Sequence, residues 1–250
     1  MAKRLRAEVI SRPKIGLETL RTLFRFGFRV AAIFVNLDAV EQGLLNSRLI
    51  EYPFVIRRLS ETPVGSVLDV GCTDGGNVVA PTLAELGWQV YGSDIREWRY
   101  THPNFHFELG DISRGMRFAD DFFDCAYAIS SIEHFGLSGR YGVTELDPEA
   151  PYRAVREIAR ILKPGGRFLL TIPYGSGGVV SPAERVFSRE TLGRLIDGWS
   201  VQELQFWYLD GEGNWSSVSE AQAGQTRTPG GVCVAMLDLE NAKGTQPVAG

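Results

Sequence analysis

The chain has 250 residues, 44% hydrophobic and 22% charged, a composition that buries a core and excludes a disordered chain. Its three cysteines (Cys72, Cys125, Cys233) and three histidines (His102, His106, His134) are scattered. That argues against a disulfide framework and against a His/Cys metal site, so the expectation is no metal, reduced thiols and a cytoplasmic setting. The net charge of −4 hides an asymmetry: residues 1–36 hold eight Lys/Arg against Glu8 and Glu18, a net of +6, which leaves −10 for the rest. An acidic body of this kind excludes a nucleic-acid enzyme, while the basic arm calls for a partner of its own or for docking onto the body.

Taken in chain order, residues 15–45 read as helix. Arg21, Arg25 and Arg29 form a polar stripe beside Leu20, Phe24, Phe28 and Ala31. No apolar run reaches the roughly 18 residues of a membrane span, and no cleavage pattern follows Val30–Leu37, so neither a transmembrane helix nor a signal peptide is expected. A second helix runs from about Ser47 to Leu59, with Pro53 in its early turns. Glu61-Thr62-Pro63 then breaks the chain.

From there strand and helix alternate. Strands are expected at Val67–Val70, Gln89–Ser93, Phe105–Leu109, Phe123–Ile129, Arg167–Ile172, Val201–Tyr208 and Val232–Leu239. Helices are expected at Val78–Leu86, Pro148–Leu162 and Ser188–Ile196. Lys163-Pro164-Gly165-Gly166 reads as a helix stop, and Ser188 as an N-cap. Such alternation implies a doubly wound, mostly parallel sheet. The division that follows is a basic helical extension or lid over 1–60, one domain over 61–240 and a flexible tail over 241–250.

In a sheet of this kind ligands bind beyond the carboxyl ends of the strands, so the first strand-to-helix turn is the place to look. It reads Asp69-Val70-Gly71-Cys72-Thr73-Asp74-Gly75-Gly76. A dinucleotide fingerprint needs glycine at the position of Thr73, where the pyrophosphate approaches. Asp69, two residues before the first glycine, would also repel phosphates. A cationic, phosphate-free ligand reverses that objection.

Asp-x-Gly-x-Thr-x-Gly after an apolar strand resembles motif I of class I S-adenosylmethionine-dependent methyltransferases, and the resemblance runs from Val67 to about Leu239. It implies a Rossmann-like, seven-stranded α/β fold with an N-terminal helical extension, and S-adenosylmethionine as cofactor. Asp94, ending the second strand, is similar to the acidic residue that binds both ribose hydroxyls in that family. Gly110-Asp111-Ile112 resembles the segment whose Asp meets the adenine amino group and whose next residue packs on the ring. Phe123–Ile129 resembles motif IV, and Leu162–Phe168 the turn before strand five. The resemblance thus implies a cofactor site of Asp69, Gly71, Cys72, Thr73, Gly75, Asp94, Ile95, Asp111, Ile112 and Ser130. Ser130–Gly142 (Ser-Ser-Ile-Glu-His-Phe-Gly-Leu-Ser-Gly-Arg-Tyr-Gly), together with Asn46–Pro53, is similar to a bacterial subgroup associated with sugars, glycans and secondary metabolites.

His134, on the loop after the fourth strand, is the candidate base for an acceptor hydroxyl or amine. Its alternative role is to order the loop. Glu133, Arg140 and Tyr141 are candidates for substrate contacts, although Glu133 could cap a helix and Tyr141 could simply pack. The expected acceptor is a small molecule, sugar or glycan, methylated on oxygen or nitrogen. Tyr174–Phe187, rich in glycine and serine, is a candidate lid, and the Arg21/Arg25/Arg29 stripe is a candidate for peripheral membrane contact. Competing readings are a cofactor-binding module without turnover, a partner protein recruited to a membrane surface, and an NAD-dependent sugar-modifying enzyme. No tyrosine has lysine four positions later, which counts against the last.

Overall fold

The computed structural model describes residues 47–73, 77–139, 141–180, 184–226 and 232–243. The expected helix over 15–45 with its arginine stripe, the turn residues Asp74–Gly76, Arg140 and the tail beyond Lys243 lie outside the described residues.

The described chain opens with helix α1 (Arg48–Ser60), which is amphipathic by spacing: Glu51, Phe54, Val55 and Leu59 form its buried stripe. The alternation that follows runs β1 (Ser66–Val70), α2 (Val79–Glu85), β2 (Gln89–Asp94), β3 (Phe105–Leu109), β4 (Phe123–Ile129), α3 (Ala150–Ile161) and β5 (Leu162–Pro173). After it come a ribbon, β6 (Gly178–Val180) and β7 (Glu184–Val186), then α4 (Arg189–Leu195), β8 (Trp199–Leu209), β9 (Trp215–Val218), α5 (Glu220–Ala223) and β10 (Val232–Asn241).

The sheet order is β3-β2-β1-β4-β5-β10-β8-β9. The first five strands pair in parallel and the last three join antiparallel. The order reverses at β1, so β1 and β4 flank the switch point where α/β sheets bind ligands. Alternation along the central strands feeds two cores. Leu68, Ala126, Ala128, Phe168 and Leu170 pack with α3 on one face. Val67, Cys125, Tyr127 and Leu169 pack with α1 and α2 on the other. Each such large side chain, fully buried, contributes roughly 1.5–3 kcal/mol.

Three expectations are corrected. The sheet has eight strands rather than seven: β9, a Ser-rich edge strand beside β8, had no hydrophobic alternation to betray it. Lys163–Gly166 is not a separate stop; α3 ends at Ile161 and the chain passes straight into β5, with a register shift opposite Phe123 and Cys125 absorbing the glycines. Residues 241–243 are tied down rather than frayed. The Asn241 side-chain amide donates to the carbonyls of Ala159, Leu162 and Lys163, and Lys243 Nζ reaches Asp121 at 2.5 Å.

Helix α1 is bound to the sheet by charge as well as by its apolar stripe. Asp238 on β10 is buried and accepts from Arg167, which also donates to the Arg58 carbonyl and to Thr62 Oγ1. Arg58 itself pairs with Glu203 and lies near Asp238. Ser188 caps α4 in a reciprocal box with Thr191.

Candidate active site

The β1 turn is built by close approach. Gly71 has φ +77°, and a Cβ there would fall 2.5 Å from the Ser131 Cβ. Only glycine satisfies both conditions without strain. The amides of Gly71 and Cys72 donate to the Ser93 carbonyl, and Ser131 Oγ donates to the Val70 carbonyl, so the ends of β1, β2 and β4 are stitched together.

Asp69 is buried at 3% exposure and accepts from Asn77 Nδ2 at 2.6 Å. Asn77 in turn holds the start of α2 through Val79 N and Ala80 N. Beneath lies Tyr127, fully buried. Burial, and then the neighbouring Asp69 carboxylate, push its phenol well above the ordinary range. Arg48, Tyr52, Asp69, Gly71, Asn77 and Tyr127 line one cleft between α1 and the β1 turn.

Asp94 ends β2, also buried, and takes four donors: Thr73 N and Arg96 N at 2.9 Å, and Arg96 Nε and Nη2 at 3.1 Å. The Arg96 guanidinium also lies over the Tyr141 ring, 4.1 Å from its centroid, within cation–π range. Tyr141 has φ +55° and meets His134 edge-on at 5.7 Å. The loop after β4 therefore folds back over the end of β2.

The remaining expected residues divide. Cys72 is buried with its sulfur toward Gly92, and burial, reinforced by Asp69 and Asp94, drives its thiol pKa up, so only its main chain can meet a ligand. The Thr73 hydroxyl is turned onto the Arg96 carbonyl. Ile95 is exposed, whereas Ile112 is packed into the core. Asp111 caps its own turn through Ser113 N and Oγ, with Arg114 Nε 3.3 Å away. Ser130 has φ +42° and gives its hydroxyl to Glu51. Gly75 and Arg140 lie outside the described residues.

Several residues at this end of the sheet, Glu133 apart, were missed from sequence. Glu51 is completely buried and accepts from Ser130, from Thr171 Oγ1 at 2.8 Å and from Arg48 Nη1 at 2.5 Å. It joins α1 to the ends of β4 and β5. The only signal for Arg48, Glu51 and Tyr52 was the resemblance of the Asn46–Pro53 run. Glu133 is completely buried in the turn after β4, and burial raises its pKa well above the usual carboxylate range. Arg185, from β7, donates to the carbonyls of Glu133 and Phe135, so the ribbon rests on that turn.

Residues 68–170 match the family model described as a methyltransferase domain. This stretch is thus similar to methyltransferase domains. No curated protein matches the chain in sequence. Among solved structures, the chain is similar to 1,6-didemethyltoxoflavin-N1-methyltransferase of Burkholderia thailandensis, at 16% identity over 92% of each chain with a TM-score of 0.53. It is also similar to the N-methyltransferase NodS of Bradyrhizobium japonicum, at 14% identity over 79% of this chain and 88% of that one, with a TM-score of 0.50. The [4+2]-cyclase SpnF matches at 21% identity over 73% of this chain and 79% of that one, also with a TM-score of 0.50. At these identities the likeness establishes the Rossmann-like fold.

The donor set fits the cofactor. A buried carboxylate beside the glycine turn suits a cationic amino-acid end, a guanidinium in the same cleft suits its carboxylate, and Asp94 at the end of β2 suits a pair of hydroxyl donors.

Proposed function

We propose that this protein transfers a methyl group from S-adenosylmethionine to a small-molecule, sugar or glycan acceptor, at nitrogen or oxygen. The observation that carries the reading is the convergence of Asp69, Gly71 and Asp94 with Arg48 and Tyr52 at the switch point of the sheet. In this reading Arg48 and Asp69 hold the amino-acid end of the cofactor, Asp94 the ribose and the Gly71 turn the backbone face. The bound cofactor supplies an electrophilic methyl on a sulfonium, already an excellent leaving group. The chain's own contribution is then alignment and exclusion of water. The short turn after β4, pinned by Ser131 to β1 and by Arg185 to the ribbon, fixes where the acceptor approaches.

The test is calorimetric titration of S-adenosylmethionine, with NAD as control, on wild type and Asp94→Ala. The expected result is saturable binding of S-adenosylmethionine, weakened in Asp94→Ala, and none of NAD. Failure to bind S-adenosylmethionine, or preference for NAD, would remove the reading.

A further inference from the structure

Beyond β4 and β5 lies a second set of acidic groups that cofactor binding does not use. Glu51 comes from α1, Glu133 from the turn after β4, and Glu184 from the start of β7. Glu184 and Glu51 both oppose ionisation of Glu133, while Arg48 favours it. Two guanidiniums reach this region. Arg48 lies on Glu51 at 2.5 Å. Arg185 spends its hydrogen bonds on main-chain carbonyls and sits near Tyr152 and Glu133. Neither donates to the Glu133 carboxyl among the described residues.

One oxygen of Glu133 is thereby left without a partner. Its Oε1 is 3.8 Å from His134 Nε2, beyond hydrogen-bond reach, and its Oε2 is buried with no partner among the described residues. A buried polar atom in that condition carries the full cost of its lost hydration. A side chain so placed is accounted for by a ligand that completes it.

We propose that Glu51, Glu133 and Glu184 form the acceptor pocket and that it takes a small primary amine, bound as its ammonium ion, which hands a proton to Glu133. The inference rests on the methyl-transfer reading above and narrows its acceptor to one chemical class. An ammonium group brings three donors and one positive charge, which suits a cluster of carboxyls left with an acceptor atom unused. A hydroxyl would fill one acceptor and leave the charge unmatched. A guanidinium would match the charge but keeps its protons at any working pH and offers no lone pair. An ammonium ion has none either until it is deprotonated. One N–H proton passes to Glu133 Oε2, the carboxylate becomes the neutral acid, and the nitrogen lone pair is exposed. The upward push on the Glu133 acidity narrows its gap to the amine, which is what a proton acceptor here requires.

The experiment uses the full chain saturated with S-adenosylhomocysteine. Calorimetry and thermal shift read the binding of paired probes: ethanolamine against ethylene glycol, glucosamine against glucose, benzylamine against benzyl alcohol. At least one amine is expected to bind while its hydroxyl twin does not. Glu133→Gln and Glu184→Gln should each weaken that amine by about tenfold or more, with S-adenosylhomocysteine affinity unchanged. Equal binding of a hydroxyl twin overturns the proposal, as does absence of binding by every amine, or amine affinity unchanged in Glu133→Gln. Both variants are near-isosteric, and the melting curve of each confirms its fold. The S-adenosylhomocysteine titration is read first. If it fails, the methyl-transfer reading fails by itself, and the amine titrations on the cofactor-free protein still decide the pocket.

Discussion

The carboxylates at the two sides of the strand ends are satisfied in opposite ways. On the β1–β2 side, Asp94 is saturated by two main-chain amides and an arginine fork, and Asp69 is held by Asn77. On the β4–β7 side, Glu51 is saturated but Glu133 has a buried oxygen with no partner among the described residues. The first side is preorganised by local turns that fix the main chain. The second is assembled from α1, the post-β4 turn and the ribbon, and leaves one acceptor atom for something outside the chain. A fold can therefore carry a pre-formed cofactor side and an acceptor side whose polar groups are balanced only when filled.

The harshest way to break the first side is Gly71→Val. The added side chain meets Ser131 at a position whose φ of +77° already disfavours any Cβ. The expected result is loss of S-adenosylmethionine affinity by more than about 100-fold, or roughly 3 kcal/mol, read by calorimetry, with circular dichroism to confirm a folded sheet. Affinity within a few-fold of wild type would show that the turn does not approach the cofactor. Asp94→Asn is milder. It keeps the shape but removes the charge, and hydrogen bonds to a charged group are worth about 1.5–3 kcal/mol, so S-adenosylmethionine should bind about 10- to 100-fold more weakly. An unchanged Kd would move the ribose contact elsewhere.

The same contrast explains what was legible in the sequence. Asp69 and Gly71 lie at the end of one short apolar strand and Asp94 at the end of the next, and Asp69 and Asp94 find their partners in the turns that follow β1 and β2. Strand–turn–helix order was enough to bring them together. The Glu51 site depends on contacts 79 and 120 residues away, to Ser130 and Thr171, and a glutamate one turn from Arg48 on an amphipathic helix reads as an ordinary surface pair. His134 as a base and Glu133 as a substrate contact are separate candidates in the sequence, where nothing tells that Glu133 is buried with one oxygen unpartnered while His134 meets Tyr141. Strand β9 escaped because Trp-Ser-Ser-Val carries little apolar alternation, and its place at the edge is set by β8.

Acidity sharpens the second side. The folded protein holds the Glu133 proton more tightly than an unfolded chain, where its pKa is the ordinary 4.5. The stability this protonation contributes is complete below that value and is lost as pH rises toward the folded pKa. Glu133→Gln does not titrate, so its stability relative to wild type should grow with pH above 4.5, by about 1.4 kcal/mol per pH unit until the folded pKa is passed. Urea unfolding of both proteins across pH 5–8 reads the difference. Parallel pH profiles would mean that Glu133 is as readily ionised in the fold as in the open chain, and the account of a buried carboxyl with an unpartnered oxygen would fall.

The smallest effect tests whether the first side is as settled as it looks. Two of the four donors on Asp94 come from the Arg96 side chain, which is about one-third exposed and stacks on Tyr141. If Asp94 is to accept from ribose hydroxyls, that fork must yield at least one oxygen, and the cofactor pays to displace it. A partly exposed ion pair of this kind is worth about 0.2–1 kcal/mol. Arg96→Ala should therefore strengthen S-adenosylmethionine binding by about two- to fivefold and flatten its dependence on salt, since screening no longer loosens a competing pair. The Thr73 and Arg96 amides stay in place and keep Asp94 oriented. Weaker binding in Arg96→Ala would reverse the assignment: the guanidinium would then be part of the cofactor contact, with Tyr141 holding it there, and the post-β4 loop would belong to both sides of the site.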